Sequence, residues 1–248
     1  MNETEQLKAE VQKLTELNGL KSDLISISAH QLRTSLSALK WILKMFIDKD
    51  FGPLTPEQED LIKKAFSSNE RMIAFVNEML TINHTEDGAL KYKYEEVDLM
   101  GLIDELIFDF SGETYKKHIE IIFLKNNPVK HIIADKEKIR VVFQNLIENA
   151  IKYSNENDKI FISVHEQETG IEVSVKDTGI GIPTEVQSSI FQKFFRADNA
   201  KTVDSIGSGL GLYTTKNIVE YHGGTIRFES SDAGTTFFVI LPYVPQSN

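Results

Sequence analysis

The chain contains no cysteine, which excludes disulfides and cysteine-ligated zinc and permits a reducing compartment. It has no apolar run near the roughly 18–20 residues that a membrane helix needs, and its first twenty residues are polar and charged rather than secretory. The chain is therefore expected to be soluble and cytoplasmic, without a membrane segment, and compatible with being the cytosolic part of something larger. Basic charge is also short: Lys and Arg number 27 against 37 Asp and Glu, a formal net charge of −10. That argues against a general nucleic-acid or anionic-membrane binder. Internal repeats and low-complexity tracts are missing too. What remains is 248 residues with 41% hydrophobic and 26% charged side chains, enough for a packed core in one large domain or two modest ones.

The N-terminal part reads as helix. Leu7, Val11, Leu14 and Leu17 recur at helical spacing among Glu, Lys and Gln, predicting a coiled-coil lead-in over residues 1–20. Ile25, Ala29, Leu32, Leu36, Leu39, Leu43 and Phe46 then form an a/d seam that ends near Asp48. Asp50-Phe51-Gly52-Pro53 is loop, and Thr55-Pro56-Glu57-Gln58 is a helix start, with Thr55 as N-cap, Pro56 at N1 and Gln58 as the capping-box partner. The second helix carries two adjacent apolar stripes, Leu61/Ala65/Ser68/Met72/Phe75/Met79/Ile82 and Ile62/Phe66/Ile73/Val76/Leu80. Such a face is too wide for a single partner helix, so two antiparallel hairpins facing each other are expected, as a dimeric four-helix bundle over residues 21–86. The polar break His84-Thr85-Glu86-Asp87-Gly88 marks a domain boundary. Beyond it, residues 93–245 show helical periods near 98–117, 135–154 and 209–222. Strand-like runs lie at 119–124, 159–166, 170–176, 224–230 and 235–241. Their segregation into blocks favours an α+β fold over a doubly wound sheet.

Two glycine-rich segments carry the chemistry of this second domain: Asp177-Thr178-Gly179-Ile180-Gly181-Ile182-Pro183 and Gly207-Ser208-Gly209-Leu210-Gly211. Glycines placed so let the backbone approach a ligand and turn N–H groups toward phosphates. The acid before the first glycines can accept a hydrogen bond from an exocyclic amine. With the amide-rich helix Asn145-Leu146-Ile147-Glu148-Asn149-Ala150-Ile151-Lys152-Tyr153, the set points to ATP. A dinucleotide-binding reading fails, because Gly207 follows a polar loop rather than a strand. In the heptad frame His30 falls at b, outside the seam, and Thr34 at f on the same face. An exposed neutral imidazole is a nucleophile that can attack phosphorus. His84, His118, His131, His165 and His222 show no ligand spacing and are assigned no chemistry.

Ser28-Ala29-His30-Gln31-Leu32-Arg33-Thr34-Ser35-Leu36-Ser37 resembles the H-box of sensor histidine kinases, and the later segments resemble that family's N, G1, F and G2 boxes in order. The resemblance covers residues 20–243. It implies a phosphotransfer hairpin followed by an α/β-sandwich ATP-binding domain of the Bergerat or GHKL type. It also implies ATP and Mg²⁺ as ligands, a homodimer, a response-regulator receiver domain as partner, and a sensor domain outside this chain, in a parent whose membrane anchorage the sequence leaves open. His30 would be the phosphoacceptor. Gln31 stands where the family has an acid, and it can fix the tautomer by accepting a hydrogen bond but cannot take the proton. Ser35 stands where the family commonly has proline and predicts a straighter helix. Thr34 would orient water for phosphatase activity. Asp177 would bind the adenine amine, and Gly179 and Gly181 would let the lid pass close to the nucleotide. Asn149 would ligate Mg²⁺, with Asn145 or Glu148 as further candidates. Lys152 would meet the phosphates and Tyr153 the ribose or base. Phe191-Gln192-Lys193-Phe194-Phe195-Arg196 would anchor the lid, its aromatics as core and Arg196 on the γ-phosphate. Gly207, Gly209, Leu210 and Gly211 would open a phosphate-facing helix, and Thr235 would support Asp177. Three other readings stay open: a scaffold that lost kinase activity through Gln31, a phosphatase using Thr34, and a gyrase-type ATPase activating water with Glu148.

Overall fold

The heptad pattern builds two long helices, α1 (Glu3–Ile47) and α2 (Pro56–Glu86). This computed structural model describes residues 3–86, 92–125, 129–204 and 207–245, and the chain divides into units spanning Met1–Leu90 and Lys91–Asn248. α1 runs unbroken past residue 20, so the lead-in and the first hairpin helix are one element. The surroundings expected of the Leu7, Val11 and Leu14 side chains lie outside the described residues, as does the end of the expected boundary at Asp87 and Gly88. α1 ends where Lys49 takes a left-handed φ of 66°. α2 begins with the reciprocal capping box: the Thr55 N–H donates to Gln58 Oε1 at 3.0 Å and the Gln58 N–H to Thr55 Oγ1 at 3.3 Å.

The two stripes of α2 take different environments. Val76 is buried with Ala29 and Leu36 of α1, and Ile73 and Leu80 pack against them. Leu61, Met72 and Phe75 of the other stripe are exposed, and so are the d positions Leu32 and Leu39 of α1. Among the described residues of α1, the a positions Ala29, Leu36 and Leu43 are the buried ones. The buried Asn69 interrupts the apolar contact. Its Nδ2 donates to the Leu36 carbonyl at 2.9 Å, pinning α2 against the α1 backbone at one register.

The second unit begins with β1 (Glu95–Val97), α3 (Leu99–Asp109), α4 (Ser111–Lys117), β2 (Glu120–Leu124), β3 (Ile132–Ala134) and α5 (Lys136–Tyr153). It continues through β4 (Lys159–Gln167), β5 (Gly170–Lys176), a 3-10 turn (Thr184–Ser189), α6 (Asp198–Val203), α7 (Gly211–Tyr221), β6 (Thr225–Ser231) and β7 (Gly234–Pro242). Five strands form one sheet in the order β2-β4-β5-β7-β6. β2 and β4 pair in parallel and the others antiparallel. β1 and β3 make a separate two-stranded ladder that the sequence pattern did not show. The period-2 residues Ile160/Ile162/Val164, Ile171/Val173/Val175 and Phe237/Val239/Leu241 are buried, with Leu99, Ile103, Phe143, Leu146, Ile147 and Ile218 of α3, α5 and α7. This is the expected α+β sandwich. At about 1.5–3 kcal/mol for each large side chain, the shared core fixes α5 and α7 on the sheet, and those helices carry the candidate site.

His222 is buried. The Asp135 N–H donates to its Nε2 at 3.1 Å, and its Nδ1 lies 2.8 Å from the Ile218 carbonyl. That pairing requires the neutral tautomer with the proton on Nδ1, and burial pushes the imidazole pKa down. Asp135 is the N-cap of α5, accepting from Lys138 N at 3.0 Å. His222 thus helps to hold the start of the helix whose later turns line the site.

Candidate functional site

α5 places Asn145, Glu148, Asn149, Lys152 and Tyr153 along its polar side, because Leu146, Ile147, Ala150 and Ile151 occupy the buried one. Asn145 Nδ2 donates to the Gly211 carbonyl at 3.3 Å and to Thr215 Oγ1 at 3.4 Å. Its amide nitrogen therefore ties α5 to the first turn of α7, and only its Oδ1 is left for a ligand. The half-buried Asn149 amide makes no hydrogen bond among the described residues, which suits an oxygen ligand waiting for a hard cation. Partial burial pushes the Glu148 carboxyl pKa up; the Lys152 charge opposes this, and the carboxylates of Glu113 and Asp204 add to it. No cluster of three or more His, Cys, Asp or Glu side chains able to hold a metal exists among the described residues, so a cation here would rely on the amide and on ligand oxygens.

Asp177 follows β5 and is buried. Its Oδ1 accepts from Gly179 N at 2.9 Å and from Thr235 N at 3.1 Å. Burial raises its pKa, and these two N–H donors partly offset the rise. Thr235 also holds Asp177 through its carbonyl, 2.9 Å from the Asp177 N–H, and its hydroxyl lies 2.8 Å from Ser230 Oγ. Ser230 in turn accepts from Ile182 N at 2.8 Å. The first glycines are required by the protein's own backbone. A Cβ on Gly179 would lie 2.2 Å from the Tyr153 carbonyl oxygen. Gly181 has φ +61°, and a Cβ there would lie 1.9 Å from the Ser231 carbonyl oxygen. Ile180 N donates to the Tyr153 carbonyl at 3.1 Å, so Gly179 lets the loop press on the last turn of α5, beside Lys152 and Tyr153.

The segment after Pro183 is tied to the first glycine loop. Gln187 Nε2 donates to the Ile182 carbonyl at 2.9 Å and Asn199 Nδ2 to the Gly181 carbonyl at 3.0 Å. Phe191 and Phe195 pack on the core. Phe194, expected to join them, is exposed instead. Its left-handed φ of 62° turns the chain so that consecutive aromatics cannot share one face. Arg196 Nη2 donates to the Asp204 carbonyl and lies 3.7 Å from Asp204 Oδ2. Lys152 Nζ pairs with the same Oδ2. The two cations expected to meet phosphate, one from α5 and one from the aromatic segment, converge on a single carboxylate oxygen. Gly207 lies against Asp204 and Arg196, Gly211 against Asn145, and Gly209, with φ +71°, against the Phe194 backbone. Leu210 is fully buried ahead of α7.

Three residues that the sequence pattern did not single out support this arrangement. Asp204 is one. Ser230 is the second, a hydroxyl joining β6 to the first glycine loop. Lys117 is the third: its Nζ donates to the carbonyls of Ile151 and Lys152, both at 2.9 Å, and of Ser154 at 3.2 Å. An ammonium thus caps the carbonyl end of α5. An amphipathic pattern cannot show such a contact, since the partners lie on different elements.

On α1, His30, Gln31, Thr34 and Ser35 are exposed while the adjacent Ala29 is 1% exposed, as the heptad frame predicts. Thr34 Oγ1 donates to the His30 carbonyl at 3.0 Å and Ser35 Oγ to the Gln31 carbonyl at 3.1 Å. The helix is unbroken at Ser35, although two successive hydroxyls bonding back to carbonyls soften that turn.

Comparison with known proteins gives two family matches: residues 20–88 to the His Kinase A (phospho-acceptor) domain, and residues 134–245 to the histidine kinase-, DNA gyrase B- and HSP90-like ATPase. The circadian input-output histidine kinase CikA of Synechococcus elongatus is 31% identical over 228 residues, 91% of this chain and 30% of that protein. The chain spans well under half the length of the curated relatives it matches. The solved catalytic domain of histidine kinase ThkA is 33% identical with a TM-score of 0.56, over 62% of this chain and 97% of that one. A structure of histidine kinase ThkA in complex with the response regulator protein TrrA matches with a TM-score of 0.62 at 25% identity, over 100% of this chain and 69% of that one.

Proposed function

This chain belongs to the histidine kinase family, and on that premise we propose that it is an ATP-dependent autokinase, working as a homodimer, that phosphorylates His30 and passes the phosphoryl group to an aspartate of a response regulator. The observation that carries the reading is the exposed His30 imidazole on α1, beside the buried Ala29, in a chain that also carries an ATP-binding domain. The exposed stripe of Leu32, Leu39, Leu61, Met72 and Phe75 supports the homodimer, since a second hairpin would cover it.

In the reaction, the lone pair of a neutral imidazole nitrogen forms a bond to the γ-phosphorus. The bond from that phosphorus to the β,γ-bridging oxygen breaks, and ADP leaves with its electron pair. Gln31 can hold the second ring nitrogen's proton in place by accepting a hydrogen bond, and the proton itself goes to water. Asp177 receives the adenine amine. Lys152 and Arg196 neutralise phosphate charge, so catalysis is mainly positioning and charge stabilisation. Asn149, with Asn145 Oδ1 or Glu148 beside it, would hold Mg²⁺, which when bound adds charge neutralisation at the phosphates. Transfer moves the phosphoryl group from the imidazole nitrogen to a carboxylate oxygen of the regulator. The structure of ThkA with the response regulator TrrA supports a receiver domain as partner. Thr34 would serve phosphatase chemistry only in a rotamer that releases its hydroxyl from the His30 carbonyl.

The test is incubation with γ-labelled ATP and Mg²⁺ beside His30→Ala. Acid-labile, base-stable label on the parent protein and none on the variant is the expected result. Label on neither protein despite nucleotide binding would overturn the autokinase. The elevated Glu148 carboxyl favours one other reading, water as the acceptor. In that case His30→Ala leaves phosphate release unchanged and Glu148→Gln abolishes it.

A further inference from the structure

We infer that the Asp204 carboxylate occupies the seat of a nucleotide phosphate oxygen and competes with the ligand for it. The inference deepens the ATP reading above and rests on it. Asp204 Oδ2 is met from two separate elements, by Lys152 at the end of α5 and by Arg196 after the aromatic segment. The side chains of Arg196, Asp204 and Lys152 are 13%, 23% and 28% exposed. Cations so far removed from water require a counter-charge close by. A carboxylate oxygen and a phosphate oxygen are interchangeable there, since both are hard anionic acceptors for charge-assisted N–H bonds. They cannot share the seat, because two anions in contact repel. Gly207 belongs to the same arrangement: a Cβ at that position would lie 3.1 Å from Asp204 Oδ2 and 3.2 Å from Arg196 Cζ. A side chain at 207 would wedge the carboxylate away from its cations.

The consequence is selectivity by phosphate. A ligand with phosphates must displace Asp204, and its apparent affinity is reduced by the fraction of protein in which Asp204 holds the seat. A ligand without phosphates, such as adenosine, has nothing to displace. Asp204 is thus a specificity-determining residue. It keeps the two cations gathered on one point while the site waits, and it leaves that point only to a stronger anion.

The experiment is calorimetric titration of the full chain and of Asp204→Asn with three probes: inorganic tripolyphosphate, a non-hydrolysable ATP analogue with Mg²⁺, and adenosine. Asp204→Asn should bind the first two tighter by about three- to tenfold, with adenosine unchanged. Asp204→Ser, which removes the carboxylate with a smaller side chain, should behave the same way and guards against a local packing effect of asparagine. Unchanged or weaker tripolyphosphate binding in both variants overturns the inference, because Asp204 would then be supporting the cations rather than competing for them. If the ATP analogue binds neither parent nor variant while tripolyphosphate binds the variants tighter, the nucleotide reading fails and the anion seat stands.

Discussion

Asp177 serves two masters at the scale of a single residue. Its Oδ1 organises the fold by accepting from Gly179 and Thr235, while its proposed role toward the adenine amine would need an ionised carboxylate. Burial raises its pKa, so a proton is held more tightly there in the folded chain than in the unfolded one. The contribution to stability is therefore fully present below the unfolded-state pKa and declines as pH rises through the elevated folded value. Asp177→Asn keeps an oxygen acceptor for both N–H groups and removes the charge. It should leave the melting temperature at neutral pH unchanged or higher and flatten its decline with rising pH, as thermal unfolding across pH would show. Affinity for the ATP analogue should fall by about tenfold or more, the cost of losing a charged hydrogen bond. An Asp177→Asn protein that unfolds more easily at neutral pH would contradict this assignment. Asp177, Gly179 and Gly181 were legible because an acid beside spaced glycines is a local pattern. What these glycines accommodate was not legible: the Tyr153 and Ser231 carbonyls that they pass come from other elements. Phe194 shows the same limit, since sequence does not reveal which of three nearby aromatics a left-handed residue turns outward.

At the scale of elements, the two ends of helices differ in how openly they were written. The start of α2 is spelled by Thr55 and Gln58 three residues apart, and the capping box forms. The end of α5 is held by Lys117, which is 34–37 residues away from the carbonyls it caps, and no local pattern announces it. Lys117→Met keeps much of the aliphatic stem and removes three charge-assisted hydrogen bonds. It should destabilise the chain by about 1–3 kcal/mol, measured by urea unfolding, and weaken ATP-analogue binding because Lys152 and Tyr153 sit on the freed turn. Full stability in the variant would mean that water caps these carbonyls equally well. The strands β4, β5, β6 and β7 lie close to the runs read from sequence, since their alternation follows one face turned to the core, fully buried in β5 and β7 and partly in β6. β1 and β3, of 3 residues each, are too short to show a period, and α6 lies in a polar stretch with no buried residue to mark it.

At the scale of the whole molecule, the twin stripes of α2 pointed to more than one partner, and the hairpin buries Val76 of one stripe while leaving Leu61, Met72 and Phe75 of the other exposed. Met72→Lys places a charge in that exposed stripe without touching the Ala29/Leu36/Val76 contact. It should weaken self-association by about tenfold or more and shift the mass measured by light scattering toward the monomer, with helix content retained. A dimer of undiminished affinity would place the interface elsewhere. The length of α1 has a further, mechanical meaning. Its 45 residues at about 1.5 Å each make a shaft on the order of 68 Å long, and His30 is mounted partway along it. No proline hinge interrupts the shaft at Ser35. A torsion applied near Glu3 would reach the imidazole as a change of azimuth, about 100° for each residue by which the phase slips, before it meets the softened turn where Thr34 and Ser35 bond back to the His30 and Gln31 carbonyls.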